Sequence, residues 1–326
     1  MSTEIEVGQL LDNRFQISSV IARSGMASLF KAIDTTTGKD VAVKVPFMQF
    51  ESDPAFFSRF QREEEIGKLL SHPYILHIVS VEKKSRPYIA MEFLEGRTLG
   101  EILRKEKKLP ETKALEIAGK IAEALAYMHE PSRNVIHRDL KPDNVMLCND
   151  GSLRIMDFGI AKAGMRRITV VGFSSAMGTP DYMAPEQVKG QRGDARTDIY
   201  SLGAMLYEMT TGKTPFAGDN PYAIMNARLI GDPEAPRDVN SGLSPQVEEI
   251  ILHAMARRPE DRYPTAQAMK AALDQPAAVQ ITGRRDRLEA PKAWRVKWQS
   301  MRTFVYAILF PVILLIIFFV LFKKTS

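Results

Sequence analysis

The sequence holds a single cysteine, Cys148, in 326 residues. A chain with one thiol forms no internal disulfide, and a reducing compartment suits it. Cys148 follows the apolar run Val145, Met146, Leu147, where a small buried packing residue is expected. Tryptophan is nearly as scarce: Trp294 and Trp298 are the only two. No internal repeat and no low-complexity tract interrupts the chain. Most of it also lacks excess basic charge. The net charge is +5, but residues 281–302 carry +5 by themselves (Arg284, Arg285, Arg287, Lys292, Arg295, Lys297 and Arg302 against Asp286 and Glu289). Lys323 and Lys324 add +2, which leaves residues 1–280 at −2. A slightly acidic globular part offers no nucleic-acid footprint, so no nucleic-acid partner is expected.

What is present begins with an uncharged run at residues 303–322, TFVYAILFPVILLIIFFVLF. At about 1.5 Å per residue it spans roughly 30 Å, the thickness of a bilayer core, and a transmembrane helix is expected there. Pro311 inside it is better tolerated in a membrane helix than in a soluble one. Seven basic residues precede the run and two follow it, which places the N-terminal side in the cytoplasm and residues 323–326 outside as a short tail. Residues 275–302 then form a basic juxtamembrane linker, and 281–302 should favour anionic lipid. Trp294, Trp298 and Met301 would share one helical face at headgroup level; a merely solvated linker is the alternative.

The soluble part divides by pattern. Residues 1–11 form an N-terminal extension. Residues 12–45 alternate apolar and polar around the turn DTTTG at 34–38, which suggests an antiparallel meander. Residues 55–70 look helical and stop before His72-Pro73, because the residue before proline avoids the α region. Two short strands follow near 75–82 and 87–92. Beyond Met91 helical spacing dominates, as in Leu115, Ala118, Ile121, Ala122, Leu125 and Met128. The expectation is an α+β fold of two lobes, a small β-rich lobe at 12–92 and a large helical lobe at 96–274, with a ligand cleft between them.

Three motifs then carry chemistry: HRDLKPDN at 137–144, DFG at 157–159 and APE at 184–186, with VAVK upstream at 41–44. In this order and spacing they resemble the protein kinase family over roughly residues 10–272. The resemblance implies the bilobal kinase fold and ATP-dependent phosphoryl transfer, in which positioning and charge neutralisation supply most of the catalysis. Lys44 would reach the α- and β-phosphates, oriented by a carboxylate from Glu63, Glu64 or Glu65. The family pattern selects Glu63 and leaves the other two as solvated helix face. Asp139 would accept or orient the proton of the acceptor hydroxyl, and Lys141 would neutralise the transferred group. Asn144 and Asp157 would hold Mg²⁺, with Mn²⁺ as an alternative. Met91 would back the nucleotide pocket, with Glu92 and Leu94 offering backbone groups to adenine. Asp198 would brace the catalytic loop, and Glu186 with Arg262 would form a buried ion pair. Lys141-Pro142 and the GTP triplet at 178–180 are similar to the serine/threonine branch, with Thr179 bonding Asp139 and Lys141.

One stretch departs from the family. The phosphate-covering loop should read Gly-x-Gly-x-x-Gly, but Ala22, Ser24 and Ala27 stand at the three glycine positions and only an extra Gly25 remains. Glycine lets a backbone approach phosphate closely. Two readings follow: a working kinase with a modified lid, or a pseudokinase serving as a membrane-anchored scaffold. A small-molecule phosphotransferase is a third, opposed by the peptide-platform look of residues 178–186. The full set of Lys44, Glu63, Asp139, Lys141, Asn144 and Asp157 favours the enzyme. Arg138 is placed to pair with a phosphate on the loop that carries Thr169, Ser174, Ser175 and Thr179, so autophosphorylation at Thr169, Ser174 or Ser175 should order that loop. The wording resembles the bacterial eukaryotic-like kinases, which implies a bacterial inner or plasma membrane. Its partners would be Ser/Thr-bearing proteins at that membrane and the chain itself in trans.

Overall fold

The computed structural model describes residues 4–51, 53–157 and 180–289. Residues 10–92 hold an antiparallel sheet of six strands in the order β1-β2-β3-β4-β6-β5. The strands are β1 (Leu10–Leu11), β2 (Phe15–Arg23), β3 (Ala27–Asp34), β4 (Lys39–Pro46), β5 (Ile78–Val79) and β6 (Ile89–Glu92). The 34–38 turn forms because Asp34 accepts the Thr36 N–H through its side chain (3.1 Å) and the Gly38 N–H through its carbonyl (2.7 Å), with Gly38 at φ 70°. A bidentate pair with Arg14 (2.9 and 2.8 Å) ties that turn to the start of β2.

The small lobe begins earlier than expected. Ile5 and Leu11 are buried with Phe15, Ile17, Phe30 and Val43, so residues assigned to an extension complete the core of the sheet. An isolated Ile in MSTEIEV shows no periodicity, and only the folded sheet reveals the cavity it fills.

Two helices flank this sheet, α1 (Met48–Glu51) and α2 (Pro54–Leu69). Asp53 caps α2 by accepting the Ala55 and Phe56 N–H groups (2.9 and 3.3 Å), with Pro54 at the first turn. Phe56, Phe60 and Gly67 face inward against Ile78, Ile89 and Met91. Gly67 is required there: a Cβ would sit 2.4 Å from Ile78 Cγ1, so any larger residue lifts the helix off β5.

The large lobe contains α3 (Leu99–Glu106), α4 (Glu111–His129), α5 (Pro185–Val188), α6 (Arg196–Thr211), α7 (Pro221–Ile230), α8 (Pro236–Val239), α9 (Pro245–Ala254) and α10 (Ala266–Asp274). A three-stranded sheet, β7 (Gly96–Thr98), β8 (Val145–Cys148) and β9 (Leu153–Ile155), lies where it meets the small lobe. On α4, Ala114, Ile117, Ala118, Ile121, Ala122, Leu125 and Met128 are buried, the stripe its spacing predicts; Leu115 is half-buried. α6 is buried along nearly its whole length and forms the axis on which α4 and α9 pack. Cys148 ends β8 half-buried, not fully packed, as the last residue of the strand before a turn.

Beyond α10 the chain stays on the large lobe: residues 275–289, the start of the expected basic juxtamembrane linker, are docked there. Thr282 Oγ1 donates to Glu249 (2.6 Å), and Arg284 Nε lies 3.1 Å from the same oxygen. Arg285 pairs with Asp238 and approaches Glu248 (3.5 Å), and Arg287 donates to the Thr282 carbonyl (3.1 Å). The Asp232 N–H donates to the Glu289 carbonyl (2.8 Å), and Glu289 N–H returns a bond to Asp232 Oδ2 (3.0 Å). Local composition suggested a lipid-facing run, but acids from α8 and α9 neutralise Arg284 and Arg285, and lipid contact at 281–289 would have to displace them. Trp294, Trp298 and the apolar run at 303–322 lie outside the described residues, among which no helix is long and apolar enough to cross a membrane.

Replacing Glu249, which is 4% exposed, by Ala leaves Arg284 without its acid. We expect tryptic cleavage after Arg284, Arg285 and Arg287 to speed up about tenfold, as for a local opening made easier by about 1.4 kcal/mol. An unchanged cleavage rate would mean that the backbone bonds at Asp232 and Glu289 hold the segment alone.

Candidate active site

Lys44 sits in mid-β4, opposite Leu29 on β3 and Ile89 on β6. Its ammonium projects from the sheet to Glu63 Oε1 (2.7 Å) and Asp157 Oδ1 (3.3 Å). Glu63 can meet it because it continues the inward stripe of α2 through Phe56, Phe60 and Gly67 at helical spacing. Of the neighbouring acids, Glu65 is exposed. Glu64 is more than a solvated helix face: it binds Lys84 and Lys68 (both 2.6 Å), tying α2 to the segment before β6. Burial opposes the charge on Lys44, but the Glu63 and Asp157 carboxylates outweigh it and raise the lysine's pKa. The Lys44 charge in turn holds the Asp157 carboxyl below its ordinary value, against desolvation. Both groups are therefore charged throughout the neutral range.

Beneath them runs the catalytic loop. Asp139 lies 3.4 Å from Lys141 Nζ through Oδ2. Asn144, in the 3₁₀ turn Pro142–Asn144, donates its side-chain amide to the Asp139 carbonyl (2.8 Å). The loop is shaped from below by Asp198 on α6. One Asp198 oxygen accepts the Arg138 N–H, and the other accepts the His137 N–H and meets His129 Nε2, all at 2.8 Å. Asp198 is fully buried; desolvation alone would raise its pKa, and these donors hold it below the ordinary value. Arg138 has φ 63° and Asp157 φ 50°, a left-handed conformation that costs non-glycine residues of order 1–3 kcal/mol. The Asp198 bond to the Arg138 amide secures the first of them.

Asn144 and Asp157 fit a hard divalent cation. With its nitrogen committed to Asp139, Asn144 keeps its amide oxygen for a ligand. Lys44 engages one oxygen of Asp157, and among the described residues the other has no partner. An amide and a carboxylate oxygen at one edge of the cleft suit Mg²⁺, which commonly takes one or two protein ligands and completes its shell with phosphate oxygens and water.

The rest of the expected set divides. Met91, 9% exposed, joins Ala42, Ile89 and Phe60 in the cluster behind the cleft, with Met156 packed against it. Glu92 is partly committed: its N–H donates to the His77 carbonyl (3.0 Å), and its side chain accepts from His77 N–H and Arg154 (both 2.9 Å). Of the two residues expected to offer a backbone N–H to adenine, Glu92 has its N–H already bonded, which leaves Leu94, in the connection to β7, as the candidate. Ser24 and Gly25 lie, with Met26, in the turn between β2 and β3, while Ala22 is in β2 and Ala27 opens β3. Thr169, Ser174, Ser175 and Thr179 lie outside the described residues.

Arg138 is expected to meet a phosphate, but the sequence pattern missed its neighbours Arg192 and Arg62, and also Arg228 and Gln187. Arg138 stands near Arg192, whose carbonyl its Nε reaches at 3.4 Å, and near Arg62 of α2. Burial and those two cations lower its pKa, and the Asp198 carboxylate offsets them only in part. Arg228 of α7 is fully buried and donates to the carbonyls of Pro180 and Asp181 (2.5 Å to the latter), beside the Phe216 ring (5.1 Å). It fixes the chain entering APE. Gln187 donates to the Arg138 carbonyl (2.8 Å), joining that segment to the catalytic loop. Each is an ordinary polar side chain on a helix or loop, and only folding brings it to the site.

Glu186 and Arg262 form a bidentate pair (2.8 and 2.7 Å), with Thr197 adding a third bond (2.9 Å). Desolvation pushes the Glu186 carboxyl up, but Arg262 brings it below its ordinary 4.5. A carboxylate with a depressed pKa adds stability that is complete above 4.5 and fades as pH falls through the depressed value. Arg262→Ala should cost about 3–5 kcal/mol at pH 7 in chemical denaturation, and the gap from wild type should narrow below pH of about 4. A gap independent of pH would remove the ion pair as its cause. Asp198→Asn replaces one acceptor by a donor facing an amide N–H, and kcat for phosphoryl transfer should fall about 10²-fold. A normal kcat would show that the loop holds its shape without that carboxylate.

Comparison with known proteins agrees with this geometry. The family model described as the protein kinase domain matches residues 15–273. A probable serine/threonine-protein kinase of Streptomyces coelicolor is 37% identical over 276 residues, covering 83% of this chain and 41% of that protein. The serine/threonine-protein kinase PknB of Mycobacterium leprae is 36% identical over 268 residues, covering 81% and 43%. The chain thus spans under half the length of these relatives. The crystal structure of the Mycobacterium tuberculosis PknI kinase domain superposes with a TM-score of 0.65 at 24% identity, covering 84% of this chain and all of that one, a likeness of fold. From residue 15 to residue 273, through both lobes and the cleft between them, this chain belongs to the protein kinase domain family.

Proposed function

We propose that this chain is a serine/threonine protein kinase that transfers the γ-phosphoryl group of ATP to protein hydroxyls. One observation carries the reading: Lys44 is held between Glu63 and Asp157, above Asp139 and Asn144, with no member of the set lost. The acceptor hydroxyl oxygen bonds to the γ-phosphorus as the bond to the β–γ bridging oxygen breaks, and that electron pair leaves with ADP. Asp139 takes the hydroxyl proton, and Lys141 offsets charge on the group in transit. A divalent cation at Asn144 and Asp157 would supply charge neutralisation at the phosphates. Given this set, a scaffold without chemistry draws no support from the cleft.

Two finer features belong to the same proposal. The uncharged run at 303–322 tethers the domain to a membrane, so substrates are met there and phosphorylation in trans is favoured by effective concentration. The Arg62, Arg138 and Arg192 cluster supports activation by a phosphate on the 160–184 loop, through charge-assisted bonds that relieve cation repulsion.

The test is ATP- and Mg²⁺-dependent phosphate incorporation by the full chain, alone and with a generic protein acceptor. Asp157→Ala should reduce label at least about 10²-fold. Phosphopeptide mapping should find label at Thr169, Ser174 or Ser175, and the protein should stay with membranes through an alkaline wash. A folded, nucleotide-binding sample that incorporates no label would turn the reading toward a scaffold.

A further inference from the structure

The turn between β2 and β3 departs from the family's glycines, and the structure gives that departure a physical consequence. Ser24 Oγ accepts hydrogen bonds from the N–H groups of Met26 (3.3 Å) and Ala27 (3.0 Å). Its hydroxyl donates to the Ala27 carbonyl (3.0 Å), which also receives the Ser24 N–H (2.9 Å). Met26 in turn accepts the Phe47 N–H through its carbonyl (2.9 Å), which pins the tip of the turn to the end of β4. No residue from Ala22 to Ala27 has a positive φ, so the turn needs none of the freedom of the glycines it lacks.

Successive backbone N–H groups at such a tip are the donors a loop of this kind offers to an anion. Here two of them converge on one side-chain oxygen within the turn, standing where an anion's oxygen would stand. An amide that already has an acceptor gains little by exchanging it for another, most of all at Ala27, which is buried, while Met26 is exposed.

We propose that Ser24 is a positioning residue that satisfies the lid from within. The phosphates of a bound nucleotide then draw little from the Met26 and Ala27 amides and depend on Lys44 and on the cation held by Asn144 and Asp157. This inference rests on the ATP reading of the cleft. Its consequence is a nucleotide affinity that depends weakly on the phosphate tail when the cation is absent. Recruiting the lid requires Ser24 to rotate out of the turn and give up its bonds to both amides.

The experiment measures dissociation constants of the full-length chain for adenosine and ADP, without and with Mg²⁺, in wild type and in Ser24→Ala. Alanine keeps the Cβ and removes only the competing oxygen, at an exposed position. In the absence of cation, Ser24→Ala should bind ADP about three- to tenfold more tightly, with adenosine changed by less than about twofold. The KM for ATP should fall with it while kcat does not rise. Weaker ADP binding in Ser24→Ala would mean that the hydroxyl contacts phosphate directly, and would overturn the inference. So would ADP and adenosine moving together, or an ADP affinity that stays put. Wild-type protein that binds neither adenosine nor ADP would instead overturn the ATP reading of the cleft, and the inference with it.

Discussion

The arrangement of the cleft depends on one buried carboxylate. Asp198 has no exposed surface, and a charge so placed is tolerated only if its lone pairs are filled. The donors that fill them are two successive backbone amides, His137 and Arg138, with the ring of His129. An irregular loop with no ladder of its own thereby takes its position from α6, a helix buried along nearly its whole length. The left-handed conformation of Arg138 persists because the same carboxylate holds its amide, and Asp139 follows one residue later.

The small lobe meets this fixed point through Lys44. Its ammonium is shared by a carboxylate from above, Glu63, and one from below, Asp157, so the two lobes converge on one charge. Glu63 can reach only while α2 lies close on the sheet, which the aromatic pair Phe56 and Phe60 (ring centroids 6.0 Å apart) and the missing side chain of Gly67 permit. Packing at the back of the small lobe and electrostatics in the cleft are thus one constraint. The Ser24 turn is coupled to the same strand through Phe47, which makes the lid part of the sheet's edge.

Charge far from the cleft is divided by folding. Arg284 and Arg285 belong by composition to the basic run that leads toward 303–322, but Asp238, Glu248 and Glu249 claim them. Residues 281–289 are thereby held on the large lobe, with Arg284 and Arg285 paired with its acids.

The lobes, the order of their elements and the chemical set from Lys44 to Asp157 were legible in the sequence, because periodicity and motif spacing are properties of neighbouring residues. So was the choice of Glu63 over Glu64 and Glu65, through family spacing, and the stripe on α2 supplies its physical reason. The role of Glu64 as a tie to Lys84, the core position of Ile5, the commitment of the Glu92 amide and the docking of 281–289 were not legible. Each depends on a partner remote in the chain, and a side chain's local pattern does not tell which remote group neutralises or covers it. Ser24 marks the boundary. The sequence alone determined that glycine is missing from the lid, but where the hydroxyl turns was decided by the tertiary structure, because the tip amides had to find an acceptor and that oxygen was within reach.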